Sequence, residues 1–358
     1  MVSSLASTFS EAWCERSPVM RAHELTRYSN FLKLHGVSAE RLLSEAGIPS
    51  VVLEHPRALV AQSRACRFGE LACQALSTEH LGLHLAAGEA VDDIPVYGNL
   101  MANAGTVGDY LIRGSRLFRI QSSAVKFEWN LHGHMFRLYR RHVLEQGLAA
   151  YQSDLQAFVL TVHRLRQALG PSWCPEVVCF AYTPRETMPR VDVFGNARIL
   201  HGGEAPYLEF PSRLLGTRFP QSRSADDPNL PAAAIDSEKI PSLSRRLVEV
   251  QLRNLLPGTD MSIATVAASL GLSPRSLQRQ LLNQGISYRE LVAQVRFDRA
   301  CDWLSETQSS VAEIAYNLGY ADPANFTRAF RARAGTAPQK FRKNLAGAAA
   351  KQPAGLSA

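Results

Sequence analysis

No stretch of this 358-residue chain approaches eighteen consecutive apolar residues, so nothing in it reads as a transmembrane helix. The first residues, MVSSLASTFSEAWCERSP, contain acids and lack a basic segment followed by an apolar one, so they do not read as a secretion signal. The expected compartment is the cytoplasm, with no membrane partner. Cysteine is also sparse. The six, at positions 14, 66, 73, 174, 179 and 301, make no CxxC pair and no regular framework. In a cytosolic chain they read as small buried apolar residues, with thiol sensing at Cys174 and Cys179 as the alternative. There is no GxSxG elbow, Walker loop or dinucleotide fingerprint. His80 and His84 are spaced for one helical face, but HLGLH lacks the glutamate of a zinc protease and a third ligand. His132 and His134 are expected to serve a hairpin turn. No metal, cofactor or enzymatic chemistry is therefore expected.

What is present is enough apolar residue, 46% of the chain, to build a core, and enough length for two domains rather than one. Basic residues exceed acidic ones by seven. Their placement is uneven: residues 236–345 hold 15 Lys and Arg against 10 Asp and Glu, a net of +5 in under a third of the chain. A basic terminal domain suits a polyanionic partner, although the charge alone identifies none.

Residues 20–220 read as an α+β domain. Helical spacing runs through Leu25, Tyr28, Phe31 and Leu32 to Gly36, and Ser38 caps a short helix ending near Gly47. Further helices are expected over 62–76 and after Thr106. Val125, Phe127, Trp129 and Leu131 alternate with Lys126, Glu128 and Asn130, a period-two strand with one wet face. Gly133 turns it into a second strand, MFRLYRR. Residues 153–169 form an amphipathic helix, capped by Ser153 or Asp154 and stopped at Gly170-Pro171. Strands and turns follow to about residue 215. Residues 221–235, rich in Pro, Ser, Asp and Ala, read as a linker. From 236 to 345 the pattern is all helix and turn, with a frayed tail after Gly347.

Two segments of that last region share one design. In residues 263–285, Ile263, Val266, Ala267 and Leu270 lie on one face of a short helix that ends at Gly271; in residues 311–335, Val311, Ile314, Ala315 and Leu318 do so before Gly319. Ser273 and Asp322 can then cap a second helix, with Pro274 and Pro323 at its first position. Leu277 and Leu281, or Phe326 and Phe330, would face inward. This is the plan of a helix-turn-helix, whose second helix enters the major groove of DNA. The outward positions carry suitable groups. Arg275, Ser276, Gln278 and Arg279 occupy the first unit, and Ala324, Asn325, Thr327 and Arg328 the second. Arg can bond guanine O6 and N7 together, and Gln or Asn does the same with adenine.

Residues 314–342, IAYNLGYADPANFTRAFRARAGTAPQKFR, resemble the signature of the AraC/XylS family of regulators. The matching positions include Ile314, Ala315, Gly319, Tyr320, Phe326, Arg328, Phe330, Gly335, Pro338, Phe341 and Arg342. Residues 295–304 resemble the long helix that joins the family's two units, holding both recognition helices on one face of promoter DNA, about one turn or roughly 34 Å apart. The resemblance implies base reading by Arg275, Gln278 and Arg279, and base or phosphate contacts by Asn325, Thr327 and Arg328 with Ala324 nearby. It also implies phosphate contacts by Arg342 or Lys343. Pro323 and Ala324 offer little base chemistry, so the second unit is expected mainly to hold phosphate.

More weakly, the upstream domain resembles the larger effector-binding and dimerisation domain found in regulators of ornithine utilisation and of virulence or quorum-sensing genes. It lacks the clear run of barrel strands of the arabinose regulator's own domain. The resemblance implies a homodimer controlled by a small molecule or partner, and an activator that recruits RNA polymerase. For the effector, Arg137 and Tyr139 share one face of the second hairpin strand, either as ligands for an anion or as ordinary exposed residues. Tyr97 and Asn99, beside Gly98, either line a pocket or sit in a turn.

Overall fold

In a computed structural model, residues 18–86, 94, 97–102, 104–144, 147–220, 244–256 and 261–349 are described. The expected linker 221–235, the start of the expected DNA-binding domain at 236–243, Cys14, the side chain of Asn99 and the tail beyond 349 lie outside them. The chain forms two compact units, divided between Leu243 and Ser244 except that Ser269–Gly271 group with the first.

The first unit is α+β. Its helices are α1 (His23–Leu34), α2 (Ala39–Glu45), α3 (Gln62–Ala75), α4 (Leu81–Ala86), α5 (Tyr97–Ala102), α6 (Val107–Leu117) and α7 (Leu148–Leu169). Capping matches the expectation at two of them: Ser38 Oγ accepts from the backbone of Arg41 at 3.2 Å, and Thr106 Oγ1 from Asp109 at 3.1 Å. A small antiparallel pair joins β1 (Val19–Arg21) to β2 (Leu59–Ala61). The main sheet contains β3 (Val125–His132), β4 (Met135–His142), β5 (Val177–Cys179), β6 (Arg198–Leu200) and β7 (Tyr207–Pro211). Its order is β3-β4-β7-β5-β6, antiparallel except for the β5–β6 pair. Leu155, Phe158, Val159, Val162 and Leu165 of α7 share a core with Phe136 and Leu138 of β4, Val178 of β5, and Leu208 and Phe210 of β7. A side chain of this size gains roughly 1.5–3 kcal/mol from burial, so this layer is what holds the unit together.

Two expectations need correction. The helix placed at 153–169 begins at Leu148, and neither Ser153 nor Asp154 caps it. The Asp154 carboxylate is taken up instead by Arg140 and by His142, whose Nε2 lies 2.8 Å away. The helix-tolerant run Leu148-Ala149-Ala150 carries the helix back to Gly147. The apolar face of β3 is also not uniformly covered. Val125 is buried, but Trp129 is 47% exposed and Leu131 57%, because β3 is an edge strand whose outer half runs past the core. Phe136 shields part of the Trp129 ring by stacking, at 5.9 Å between centroids.

The second unit is all helix where described: α8 (Ser244–Asn254), α9 (Ile263–Ser269), α10 (Pro274–Leu282), α11 (Tyr288–Glu306), α12 (Val311–Asn317), α13 (Pro323–Ala334) and α14 (Pro338–Ala349). The joining helix, expected over 295–304, spans α11. It starts at a capping box in which Ser287 Oγ accepts from the backbone of Glu290 while the Glu290 carboxylate accepts from that of Ser287. Ser310 and Glu313 repeat the device on α12. The helix α14 runs on to Ala349, two residues beyond the expected start of the tail. Among the described residues no helix is long and apolar enough to cross a membrane.

Candidate nucleic-acid interface

The two helix-turn-helix units, α9–α10 and α12–α13, are built by the same local chemistry. Gly271 and Gly319 take left-handed φ values of 71° and 74°, which an L side chain adopts only at a cost. That turn lets the backbone N–H of the residue after the glycine reach back. Leu272 donates to the Ala267 carbonyl at 2.8 Å, and Tyr320 to that of Ala315 at 3.0 Å. Next, Ser273 Oγ accepts from Ser276 N at 3.1 Å, while Asp322 Oδ1 accepts from Ala324 N at 2.9 Å. Asp322 lies three residues after its glycine and Ser273 two after its own, so Leu277 and Phe326 are offset by one residue in their units yet fill equivalent inward positions. Ala267, Ala315, Leu277, Leu281, Phe326 and Phe330 are all buried.

The cores differ in kind. That of the first unit is aliphatic. In the second, Phe330 meets Phe297 of α11 at 5.2 Å, Phe341 of α14 at 5.3 Å and Phe326 at 5.8 Å. Arg296 of α11 closes over this unit's turn, donating to the Gly319 carbonyl at 3.2 Å and lying 4.8 Å above the Tyr320 ring. The long helix thus serves as a wall of the second unit as well as a spacer.

The outward faces differ too. Arg275, Gln278 and Arg279 are exposed, and among the described residues no group hydrogen-bonds or pairs with their side chains. Ser276 is half-buried and its Oγ accepts from Ser273 Oγ at 2.9 Å, within the cap. On α13, Ala324, Asn325 and Arg328 are exposed, but Arg328 donates to Asn325 Oδ1. Thr327 is half-buried and its hydroxyl donates to the Pro323 carbonyl at 3.0 Å. Lys343 is exposed on α14. Arg342, expected at phosphate, has its guanidinium turned into the protein, donating to the carbonyls of Ser309 at 2.6 Å and Leu304 at 3.3 Å. A cation bonded to the Leu304 carbonyl, in the last turn of α11, complements that helix's negative end, and together with the bond to Ser309 in the following loop it ties α14 there. Sequence reasoning missed the anchoring role of Arg296, whose only signal was a cation on the joining helix.

The residues suggested for an effector do not form one site. Arg137 and Tyr139 are half-buried together on one face of β4. Arg137 is already engaged: it pairs with Glu209, opposite it on β7, and lies 4.7 Å over the Tyr207 ring. The Tyr139 hydroxyl and the Glu209 carboxylate push its pKa further above the ordinary arginine value. Tyr97 is buried in the core and meets Phe118 edge-on at 5.9 Å; burial raises its pKa.

Among the described residues, no group of three or more His, Cys, Asp or Glu side chains is placed to hold a metal ion. His80 precedes α4 and its ring contacts the Tyr151 hydroxyl at 3.1 Å and the Glu186 carbonyl at 3.3 Å, while His84 stacks on Phe31. Burial raises the Cys179 thiol and pushes Cys73 up to about 12, the opposite of an activated nucleophile.

Two family models match the chain. A helix-turn-helix domain model covers residues 266–344, and the N-terminal arabinose-binding domain of AraC transcription regulators covers residues 36–219. The chain is 28% identical to the ornithine utilization regulator of Pseudomonas aeruginosa over 320 residues, 86% of this chain and 92% of that one. It is 22% identical to the HTH-type transcriptional regulator VirS of Mycobacterium tuberculosis over 350 residues, 92% of this chain and 97% of the relative. Over 119 residues it is 29% identical to the transcriptional activator NphR of a Rhodococcus species, covering 33% of this chain and 34% of that protein. With more than half of its length matched by the family's N-terminal model and the tandem helix-turn-helix behind it, the chain belongs to the AraC family of DNA-binding transcription regulators.

Proposed function

We propose that the protein is a one-component regulator that reads promoter DNA chiefly through α10. The observation that carries this is the set of three exposed, uncommitted side chains, Arg275, Gln278 and Arg279, on a helix preset by its turn and cap. Uncommitted donors on a rigid helix can meet base edges without first breaking internal bonds. In the second unit, Asn325 and Arg328 reach DNA only by exchanging their mutual hydrogen bond, and Thr327 by giving up its bond to Pro323. That favours orientation on the phosphate backbone over base choice, with Ala324 close by and Lys343 adding a phosphate contact. Arg342 is assigned to holding α14 on α11.

In this reading residues 236–345 form the DNA-binding domain, 221–235 the linker and 20–220 the effector-binding and dimerisation domain. The protein is a cytoplasmic homodimer without enzymatic activity. It is controlled by a small-molecule or partner signal and activates transcription by recruiting RNA polymerase; two relatives that match part of the chain are named as activators, which favours activation. The test is fluorescence anisotropy of the full chain on DNA upstream of its own and neighbouring genes, at two salt concentrations, with Arg279→Ala alongside. Preference for one fragment, lost in the variant, supports the reading. Equal binding to every fragment, indifferent to Arg279, rejects base readout by α10.

A further inference from the structure

Within the first unit lies a cavity of about 140 Å³, bounded by α1, α3, α7 and the start of the β3–β4 hairpin. Six Phe and Tyr rings stand on its wall among aliphatic and polar side chains. Tyr28 and Phe68 meet at 6.0 Å on one side; Tyr97, Phe118 and Phe127 form an edge-to-face series on another, with centroids 5.9 and 5.0 Å apart. The volume is that of a single-ring guest, since an apolar cavity of about 150 Å³ holds benzene.

Arg140 is also on the wall. It follows Phe136 and Leu138 on the core face of β4 and is only 1% exposed. Two of its nitrogens are accounted for, one by Asp154 and one by Ser153 Oγ at 3.2 Å. The third, Nε, is buried without a hydrogen-bond partner among the described residues. A buried donor left unpaired is costly, the more so on a charged group, so a cavity beside it is where an acceptor belongs. Gln62 supplies the opposite requirement: its Nε2 reaches Cys66 Sγ at 3.5 Å, while its Oε1 is buried on the same wall without a donor among the described residues.

The charges around the cavity are already balanced. Arg140 is matched by Asp154, and Glu24 on the wall by Arg27 at 3.7 Å, with the His23 ring 3.0 Å from the same carboxylate. A guest bringing net charge would enter a low-dielectric site with no counter-ion left for it.

We propose that this cavity is the effector site and takes an uncharged, single-ring-sized molecule carrying an oxygen that accepts from Arg140 Nε–H and an N–H or O–H that donates to Gln62 Oε1. The assignment of an effector to this unit rests on the regulator reading above; the cavity and its chemistry do not. Of the suggested effector residues whose side chains are described, Tyr97 lines it and Arg137 and Tyr139 do not.

Benzamide is a suitable probe, being one ring with a carbonyl and an amide N–H. Toluene keeps the ring without the polar groups, and benzoate adds a charge. Saturation-transfer NMR and thermal shift on the full chain are expected to show benzamide bound at least tenfold more tightly than either. Gly69→Ala narrows the cavity gently, since the added methyl carbon meets Ala149 Cβ and Tyr28 Cε1 at 3.9 Å, ordinary contact distance, and alanine suits the interior of α3. It is expected to weaken benzamide severalfold in a protein that folds at least as well. Gln62→Leu is expected to erase the preference for benzamide over toluene. No binding by any probe, equal binding of benzamide and toluene, or indifference to both variants overturns the site. DNA anisotropy with and without benzamide is a separate readout. A changed DNA affinity supports the effector role, and NMR-detected binding that leaves DNA affinity unchanged overturns that role alone. Failure to select any promoter fragment defeats the regulator reading while leaving the NMR result standing.

Discussion

The two helix-turn-helix units share a plan but differ in how far their outward side chains are already bonded. Their turns close with the same backbone bond and the same left-handed glycine, and each second helix begins with a capped proline. Around that common frame the first unit has an aliphatic core and leaves Arg275, Gln278 and Arg279 without a partner among the described residues, with only Ser276 bonded inside the cap. The second ties its outward groups to one another and its core, through Phe297 and Phe341, to the helices on either side. A side chain spent on internal bonds is a poorer reader and a better brace, so repetition of a motif in sequence does not imply repetition of its role.

The largest expected effect comes from cutting into the brace. Phe330→Ala removes the ring shared by α11, α13 and α14 and is expected to cost about 3–5 kcal/mol, read from urea melts of the full chain followed by circular dichroism. A loss below about 1 kcal/mol would mean that the aromatic cluster does not hold the second unit.

Next is the reader. Arg279→Ala is expected to cost about 1–3 kcal/mol of binding and to relax preference at one base pair, while Arg328→Ala costs less and leaves the preference in place. The reverse order, in competition binding with single-base operator variants, would exchange the roles of the units. Gly319→Ala follows, at about 1–2 kcal/mol of stability, because alanine must hold φ near +74° with its methyl 3.1 Å from the Arg296 guanidinium. Thermal melts that leave this variant unchanged would show that the turn relaxes freely.

The contrast between neighbours on α14 is subtler. Lys343→Ala should reduce the slope of log affinity against log salt by about one unit without touching stability. Arg342→Met should do the opposite, lowering the melting temperature with the slope intact. A changed slope in Arg342→Met would return that residue to the phosphate backbone.

The smallest effect belongs to two capping boxes, one on the joining helix and one on the second unit. Glu290 and Glu313, in the capping boxes of α11 and α12, have pKa values held below the ordinary carboxylate value, Glu290 by the Ser287 hydroxyl and backbone and Glu313 by the Ser310 backbone and hydroxyl. Depressed in the folded state, each contributes fully above the ordinary carboxylate pKa and loses that contribution as pH falls through its lowered value. Helical circular dichroism should therefore decline less on acidification in Glu290→Gln and Glu313→Gln, each starting from a lower stability. Parallel acid titrations of variant and parent would say otherwise if they differ only by a constant.

Much of this is legible in the bare sequence of residues 263–342, because helix-turn-helix geometry is local. A left-handed glycine, a cap three or fewer residues on, a proline at the first helical position and apolar residues one turn apart are all written within some twenty-five residues. The hairpin turn at Gly133 and the caps at Ser38 and Thr106 are readable for the same reason. The start of α7 is not, because Ser153 and Asp154 look like caps until Arg140 and His142, from another element, claim the aspartate. The turn of Arg342 into the protein depends on carbonyls more than thirty residues away, and the commitment of Arg137 on Glu209, seventy-two residues away. The period of MFRLYRR does place Arg140 beside Phe136 and Leu138, on the face that should be apolar, and that misfit is the one local hint of the cavity.

The sequence by itself therefore determined the division of labour along the chain, the two DNA-binding units and the side chains they could offer, since each depends on neighbours within a turn or two. Only the tertiary structure decided which of those side chains remain free and where a buried space with an unsatisfied donor opens. Both are settled by partners brought together from distant parts of the chain, and no local pattern records whether a polar group has already found one.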